Sequence, residues 1–204
     1  MSWSPQLAYA IGIITSDGNL SPDGRHISIV SKDREIVVMC KRVLGISNKI
    51  GRKARGRTSE KKYYVLQFGS VVFYRFLLSI HLTAAKSKTL RRVSVPHKYF
   101  ADFLRGYMDG DGSISAFKHP ESKHPQLRLT FASGSLIMLE WVKVKIMKRL
   151  GIMGGWIYTD KRKDVHTLAY AKGDTKKILD FVYYKNVHLK LSRKFKVAEK
   201  YMGE

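Results

Sequence analysis

Cysteine is nearly absent: Cys40 is the single one among 204 residues. An intrachain disulfide framework is therefore excluded, and a reducing, intracellular setting is the expectation. Long apolar runs are missing too. The best two, Leu7 to Ile14 and Val71 to Ile80 with Arg75 inside it, fall short of the roughly 18 apolar residues that span a bilayer. No basic region precedes the first run, so no secretory signal is read there. Side-chain amides are few, three Asn and three Gln, a lean towards a thermophilic source. Acidic residues are also scarce, 16 against 38 Lys and Arg, for a net charge of +22. What remains is ample core material: 44% hydrophobic and 11% aromatic positions bury enough apolar surface to exclude disorder. The length allows one large domain or two small ones.

So strong a positive excess on a folded chain favours a polyanionic partner, because clustered Lys and Arg gain affinity by releasing counterions condensed on phosphates. Nucleic acid leads; a solvated basic surface, a ribosomal protein and a membrane-surface protein share the composition. The excess is not a tail. There are 17 basic and 5 acidic residues before Pro96, and 21 and 11 from there on, so both parts are expected to touch the same polyanion.

The chain repeats itself. Ala10-Ile-Gly-Ile-Ile-Thr-Ser-Asp-Gly18 aligns with Leu104-Arg-Gly-Tyr-Met-Asp-Gly-Asp-Gly112 on the third-position glycine and the closing Asp-Gly, 94 residues apart. Each copy is followed by a turn and an alternating strand, His26 to Val30 and Gln126 to Phe131. Then comes an apolar helix ending in Leu-Gly-Ile, residues 34–44 and 136–150. A basic second hairpin follows, residues 49–68 around Lys53-Ala-Arg-Gly-Arg57 and 156–170 around Lys161-Arg-Lys163. Another amphipathic helix comes next, 71–82 and 175–186, and each series closes on Leu82 to Lys86 or Leu191 to Lys194. Six elements in one order predict two related α+β halves.

Each motif reads as a helix. Ser4 caps the first with Pro5 at its first position, Pro96 opens the second, and Asp-Gly stops both, with glycine expected at positive φ. Gly12 and Gly106 lie mid-helix, where glycine costs about 1 kcal/mol relative to alanine. The same loss at the same place twice predicts that the two motif helices touch there. Asp17 and Asp111 would then come near one another. Neighbouring carboxylates repel unless a shared proton or a divalent cation lies between them, and hard oxygen donors suit Mg²⁺ with substrate phosphate. A pair of acids beneath a basic surface makes a reasonable phosphodiester-cleaving centre; the plainer alternative is that each Asp only ends its helix.

These residues resemble the LAGLIDADG homing endonucleases, in the single-chain form that carries two motif copies. The second copy is very close to the family pattern, while the first has Ala10 for the opening Leu and Thr15 where the second has Asp109. The resemblance implies two αββαββα halves, residues 1–87 and 96–204, joined by a linker over 88–95, with their antiparallel sheets forming a saddle over double-stranded DNA. It implies Asp17 and Asp111 as catalytic, metal-binding acids with the carbonyls of Ser16 and Gly110 as nearby ligands. Mg²⁺ is the implied cofactor, with Mn²⁺ and Ca²⁺ as other occupants of the site. Lys86 and Lys194 match the family's basic residues, whose physical role would be to stabilise charge at phosphate or poise the attacking water. Asp33 and Ser135 match polar residues the family often adds at the end of the second strand. The implied activity is a site-specific double-strand break in a long DNA target, cut across the minor groove with short 3′ overhangs, by a monomer encoded within an intron or intein. An intron RNA maturase and a non-cleaving DNA-binding regulator on the same fold are the alternatives.

Strand alternation divides core-facing from groove-facing side chains. With Leu127, Leu129 and Phe131 inward, Gln126, Arg128 and Thr130 face out; with Ile27 and Ile29 inward, His26 and Ser28 do. Asn19, Ser113 and Ser115, just beyond the acids, are expected on the same exposed face, together with Arg52, Arg55 and Tyr158 of the second hairpins. Gln and Arg suit the edges of A and G in the major groove, and most lysines are expected to position the DNA backbone. The tyrosine pairs Tyr63-Tyr64 and Tyr183-Tyr184 are expected to be half core.

Overall fold

The computed structural model describes residues 1–54, 60–118 and 125–203. Two four-stranded antiparallel sheets with helices make the fold α+β. Helix α1 (Pro5–Asp17) starts as its sequence requires, with the Ser4 hydroxyl accepting from Leu7 N at 3.1 Å and proline behind it. Strands β1 (Gly18–Leu20), β2 (His26–Ser31), β3 (Gly51–Lys53) and β4 (Tyr63–Gly69) form one sheet in the order β1-β2-β4-β3. Helices α2 (Arg34–Val43) and α3 (Val71–Ser79) complete the first series, and α4 (Lys86–Thr89) is a single turn. The second series repeats it: α5 (Phe100–Asp111), β5 (Gly112–Lys118), β6 (Pro125–Ser133), α6 (Leu136–Leu150), β7 (Trp156–Asp160), β8 (Val165–Tyr170), α7 (Lys172–Val182) and α8 (Ser192–Ala198). Its sheet has the matching order β5-β6-β8-β7.

By packing, the chain divides into two compact units. One holds Met1–Lys86 with Val93–Gly110, the other Ser87–Arg92 with Asp111–Glu204. The second motif helix, up to Gly110, thus packs with the first unit. In that unit Leu20, Ile27, Ile29, Leu66 and Phe68 cover one sheet face against Ile36, Val37 and Cys40 of α2 and the wholly buried middle of α1. In the other, Leu127, Leu129, Phe131 and Leu168 pack with Leu139, Val142 and Ile146 of α6 and Ile178 and Leu179 of α7. Among the described residues no helix is long and apolar enough to cross a membrane.

Several local expectations need correction. Gly18 has φ −86°, an extended backbone, and Gly112 is not among the positive-φ residues. Gly18 is small for another reason: an added Cβ would stand 2.5 Å from the Ile14 carbonyl oxygen. Pro96 does not open α5; a 3-10 turn, His97–Tyr99, intervenes. The third helix of each series stops early, at Ser79 and Val182, and the chain then turns through His81 (φ 73°) and Asn186 (φ 67°). The Leu-Gly-Ile stops behave as read, Gly45 and Gly151 both lying at positive φ.

Candidate functional site

Helices α1 and α5 meet backbone to backbone at the two mid-helix glycines. A Cβ on Gly12 would strike the Phe103 carbonyl and stand 2.6 Å from Tyr107 N, and one on Gly106 would strike the Tyr9 carbonyl. Any side chain here would force the helices apart, which accounts for glycine in both copies despite its poor helix propensity. Around that contact lies a buried polar group. Tyr9 donates its hydroxyl to Asp109 Oδ2 at 2.8 Å, and Arg105 pairs with Asp102 at 2.7 Å, its guanidinium 5.5 Å from the centre of the Tyr9 ring. Burial raises the Tyr9 hydroxyl well above its usual pKa, and the neighbouring Asp109 charge adds to the rise.

Within the first unit the crossing brings the last turn of α1 against Gly110 of α5. Asp17, half-buried, is the last residue of α1, and a Cβ on Gly110 would lie 3.6 Å from its Oδ2 and strike the Ser16 hydroxyl. Asp17 also adds to burial in holding the Cys40 thiol far above its ordinary range. Asp111, exposed, ends α5 and begins the second unit. Helix C-termini carry partial negative charge, so an acid there is unfavourable unless a cation accompanies it. Among the described residues no three His, Cys, Asp or Glu gather as a metal cluster. The local donors are carboxylate and main-chain oxygens, a set that fits a hard cation completing its shell with water and phosphate.

Each unit sets a buried lysine beside its acid. Lys86 donates to the Gly18 carbonyl at 2.5 Å and Lys194 to the Gly112 carbonyl at 2.6 Å. Both lysines are over nine-tenths buried. Gly18 and Gly112 directly follow Asp17 and Asp111, so the same cationic contact is built twice onto the strand start beneath the acid. Ser135 makes two structural hydrogen bonds. Its buried hydroxyl caps α6 at Met138 N and donates to the Leu90 carbonyl at 2.5 Å. Asp33 holds the equivalent position at the start of α2.

Sheet register sorts the expected DNA-facing residues. In the first sheet Asn19, Ser28 and Gln67 lie opposite one another in a row, on the face away from Ile27 and Ile29. With His26 and Asp23 they line a pocket of about 260 Å³. Asp23 accepts from the backbone N–H of His26 and Arg25 and contacts the His26 ring at 2.6 Å, which keeps its carboxyl well below the usual range. In the second sheet Ser113 pairs with Thr130, Ser115 with Arg128, and Gln126 with Phe117, all on the face away from Leu127 and Leu129. Tyr158 joins that face through Thr167 and Ala132, and Trp156 through Ala169 and Thr130. Gln67, Phe117 and Trp156 are additions. Each was within reach of the alternation rule, Gln67 from its place between Leu66 and Phe68 and Trp156 from its spacing of two from Tyr158.

Arg52 needs correction. It pairs with Tyr64, which pairs with Ser31, and so lies on the helix side of the sheet. Its guanidinium is 4.7 Å from the Tyr64 ring centre and donates to the Lys61 carbonyl at 2.7 and 2.9 Å. The face of β3 depends on a register with β4 that strand alternation cannot supply. Arg55 lies outside the described residues. Tyr63 and Tyr64 are half-buried as expected and Tyr183 is buried, whereas Tyr184 is exposed.

Comparison with known proteins shows the family and the fold. The family model of the LAGLIDADG-like domain matches residues 4–81 and 99–194. No curated protein matches. Among solved structures, the chain is similar to I-GzeII in complex with its DNA target, at 12% identity with a TM-score of 0.62 over 98% of this chain and 89% of that one. It is also similar to I-DmoI in complex with DNA and Mn, at 20% identity and TM-score 0.57 over 91% and 98% of the two chains. The N-terminal LAGLIDADG domain of DUF199/WhiA shares the fold at 16% identity and TM-score 0.58, over 96% and 88%. With the family model matched twice in order across most of its length, the chain belongs to the LAGLIDADG-like domain family.

Proposed function

We propose that this chain is a single-chain, divalent-metal-dependent DNA endonuclease that binds a long duplex target and cuts both strands, leaving short 3′ overhangs, and that it serves intron or intein homing. Residues 1–87 and 96–204 act as its two halves and 88–95 as the join. The observation that carries the reading is the doubled device of an acid at the end of a motif helix with a buried lysine on the next carbonyl, Asp17 with Lys86 and Asp111 with Lys194. A DNA-binding scaffold alone has no need of carboxylates at two helix C-termini.

On this reading Asp17 and Asp111 hold the metal, Mg²⁺ by preference with Mn²⁺ or Ca²⁺ as other occupants, assisted by the Ser16 and Gly110 carbonyls. When bound, the cation supplies stabilisation of charge on the attacking and leaving oxygens. Lys86 and Lys194 hold the strand starts and present positive charge beneath the phosphates. The polar sheet faces, Asn19, His26, Ser28 and Gln67 in one and Ser113, Ser115, Gln126, Arg128, Thr130 and Tyr158 in the other, contact the grooves, while the general positive excess binds phosphate.

The test is incubation of the full chain with Mg²⁺ and duplex DNA of its own insertion site, with the interrupting element removed. One defined double-strand cut is expected, lost on adding a chelator and in Asp17→Asn and Asp111→Asn, each of which still binds the duplex. Specific binding without any cut would favour instead a non-cleaving regulator, a reading the likeness to the WhiA domain leaves standing. Tighter binding to intron RNA than to the duplex would favour a maturase.

A further inference from the structure

Among the described residues, the strands of the second sheet carry one cation on their outer face, set among aromatic rings. The Arg128 guanidinium carbon lies 5.2 Å from the centre of the Phe117 ring and 5.8 Å from that of Trp156. Register places all three on one face: Arg128 opposite Ser115, Phe117 two residues along the same strand, and Trp156 in the row of Thr130. Among the described residues no carboxylate pairs with Arg128. Phe117 and Trp156 are 37% and 43% exposed, so core burial does not account for them. A guanidinium resting over rings is held by cation–π attraction and still has its N–H groups available for hydrogen bonding. That is the preparation a bidentate contact to guanine O6 and N7 needs, since an arginine already confined loses less rotamer freedom on binding.

The first sheet has a different arrangement at the equivalent point. Gly18 pairs with Ile29 and Gly112 with Phe131, so His26 corresponds to Arg128 and, counting from the same glycines, Asp23 to Phe117. There the side chain contacts a carboxylate at 2.6 Å, which brings negative charge and presents an acceptor. The two sheets therefore offer unlike chemistry to the two ends of a target.

We propose that Arg128, steadied by Phe117 and Trp156 as positioning residues, reads a guanine in the major groove of the half-site bound by the second sheet. This rests on the DNA-binding reading above. The experiment is selection of bound sequences from a random duplex library with the full chain, repeated for Arg128→Lys, Arg128→Ala, and the pair Phe117→Leu with Trp156→Leu. Wild type is expected to enrich a site in which one guanine is preferred roughly tenfold or more, the range of a good bidentate contact. Arg128→Lys keeps the charge and should lose that preference while the preferences at other positions are kept. The aromatic pair should weaken preference at the same position, a readout that a general packing defect would not confine to one base. Retention of every guanine preference by Arg128→Lys and Arg128→Ala overturns the assignment while leaving the DNA-binding reading in place. Wild-type preference in the aromatic pair overturns the positioning role. Failure of the wild-type chain to enrich any sequence overturns the DNA-binding reading and this inference with it.

Discussion

The Tyr9 hydroxyl donates to Asp109 Oδ2 at 2.8 Å across the helix pair, and the two positions related to them by the repeat, Phe103 and Thr15, carry no such bond. Thr15 turns its hydroxyl to its own helix, donating to the Ile11 carbonyl at 2.7 Å. The departure of the first motif from the second at Thr15 is thus matched by the exchange of Tyr9 for Phe103. Tyr9→Phe should lower stability by about 1–3 kcal/mol, because a wholly buried carboxylate loses its donor. Adding Asp109→Thr, which copies the other motif, should restore part of that loss. A double-mutant cycle in chemical denaturation checks this, and additive losses would contradict the coupling.

Alkaline pH should unfold the protein earlier than a chain without these groups. Tyr9 and Cys40 both have folded pKa values raised above their ordinary 10.0 and 9.0, chiefly by burial. A raised folded pKa gives stability that is complete below the unfolded value and is lost as pH climbs towards the folded one. Stability should therefore fall above about pH 9, with a limiting slope of about 1.4 kcal/mol per pH unit for each group. Denaturation midpoints across that range measure the slope, and Cys40→Ala should make it shallower.

Gly12→Ala and Gly106→Ala should each destabilise the helix pair even though alanine is the better helix former. The added Cβ meets backbone atoms, which cannot rotate away, so the loss should reach at least the ~1–3 kcal/mol usual for overpacking. Thermal melts report it; a variant as stable as wild type would mean the helices do not cross at these residues.

Lys86→Met and Lys194→Met should lower both stability and cutting. Each removes the donor to a carbonyl of a buried glycine, a loss of about 1–3 kcal/mol, and each frees the strand start that follows an acid. Full stability with cutting lost would assign the lysines to the reaction alone and not to holding that strand.

Affinity for duplex DNA should fall steeply with added salt, in proportion to the number of phosphates contacted. Titration at several ionic strengths measures it, and a flat response would reject nucleic acid as the partner.

Periodicity carried much of the architecture. Two series of six elements, the Ser4 cap, the Gly45 and Gly151 stops and the inward parity of Ile27, Ile29, Leu127 and Leu129 all follow from local rules that neighbouring residues obey regardless of what lies beyond them. The repeat added the pairing of Gly12 with Gly106, because a poor helix former retained twice in register demands a contact. Positions set by distant segments were another matter. Arg52 turned to the helix side because the register of β3 on β4 is fixed through a hairpin, and a shift of one residue reverses every side chain. Ser135 caps α6 and ties to Leu90; Gly18 proved to be small for Ile14, and neither it nor Gly112 takes a left-handed backbone. Lys86 and Lys194 lie 68 and 82 residues from the carbonyls they hold. Composition can supply such a lysine, but only the folded path of the chain brings a charge that far to one oxygen and shelters it from water.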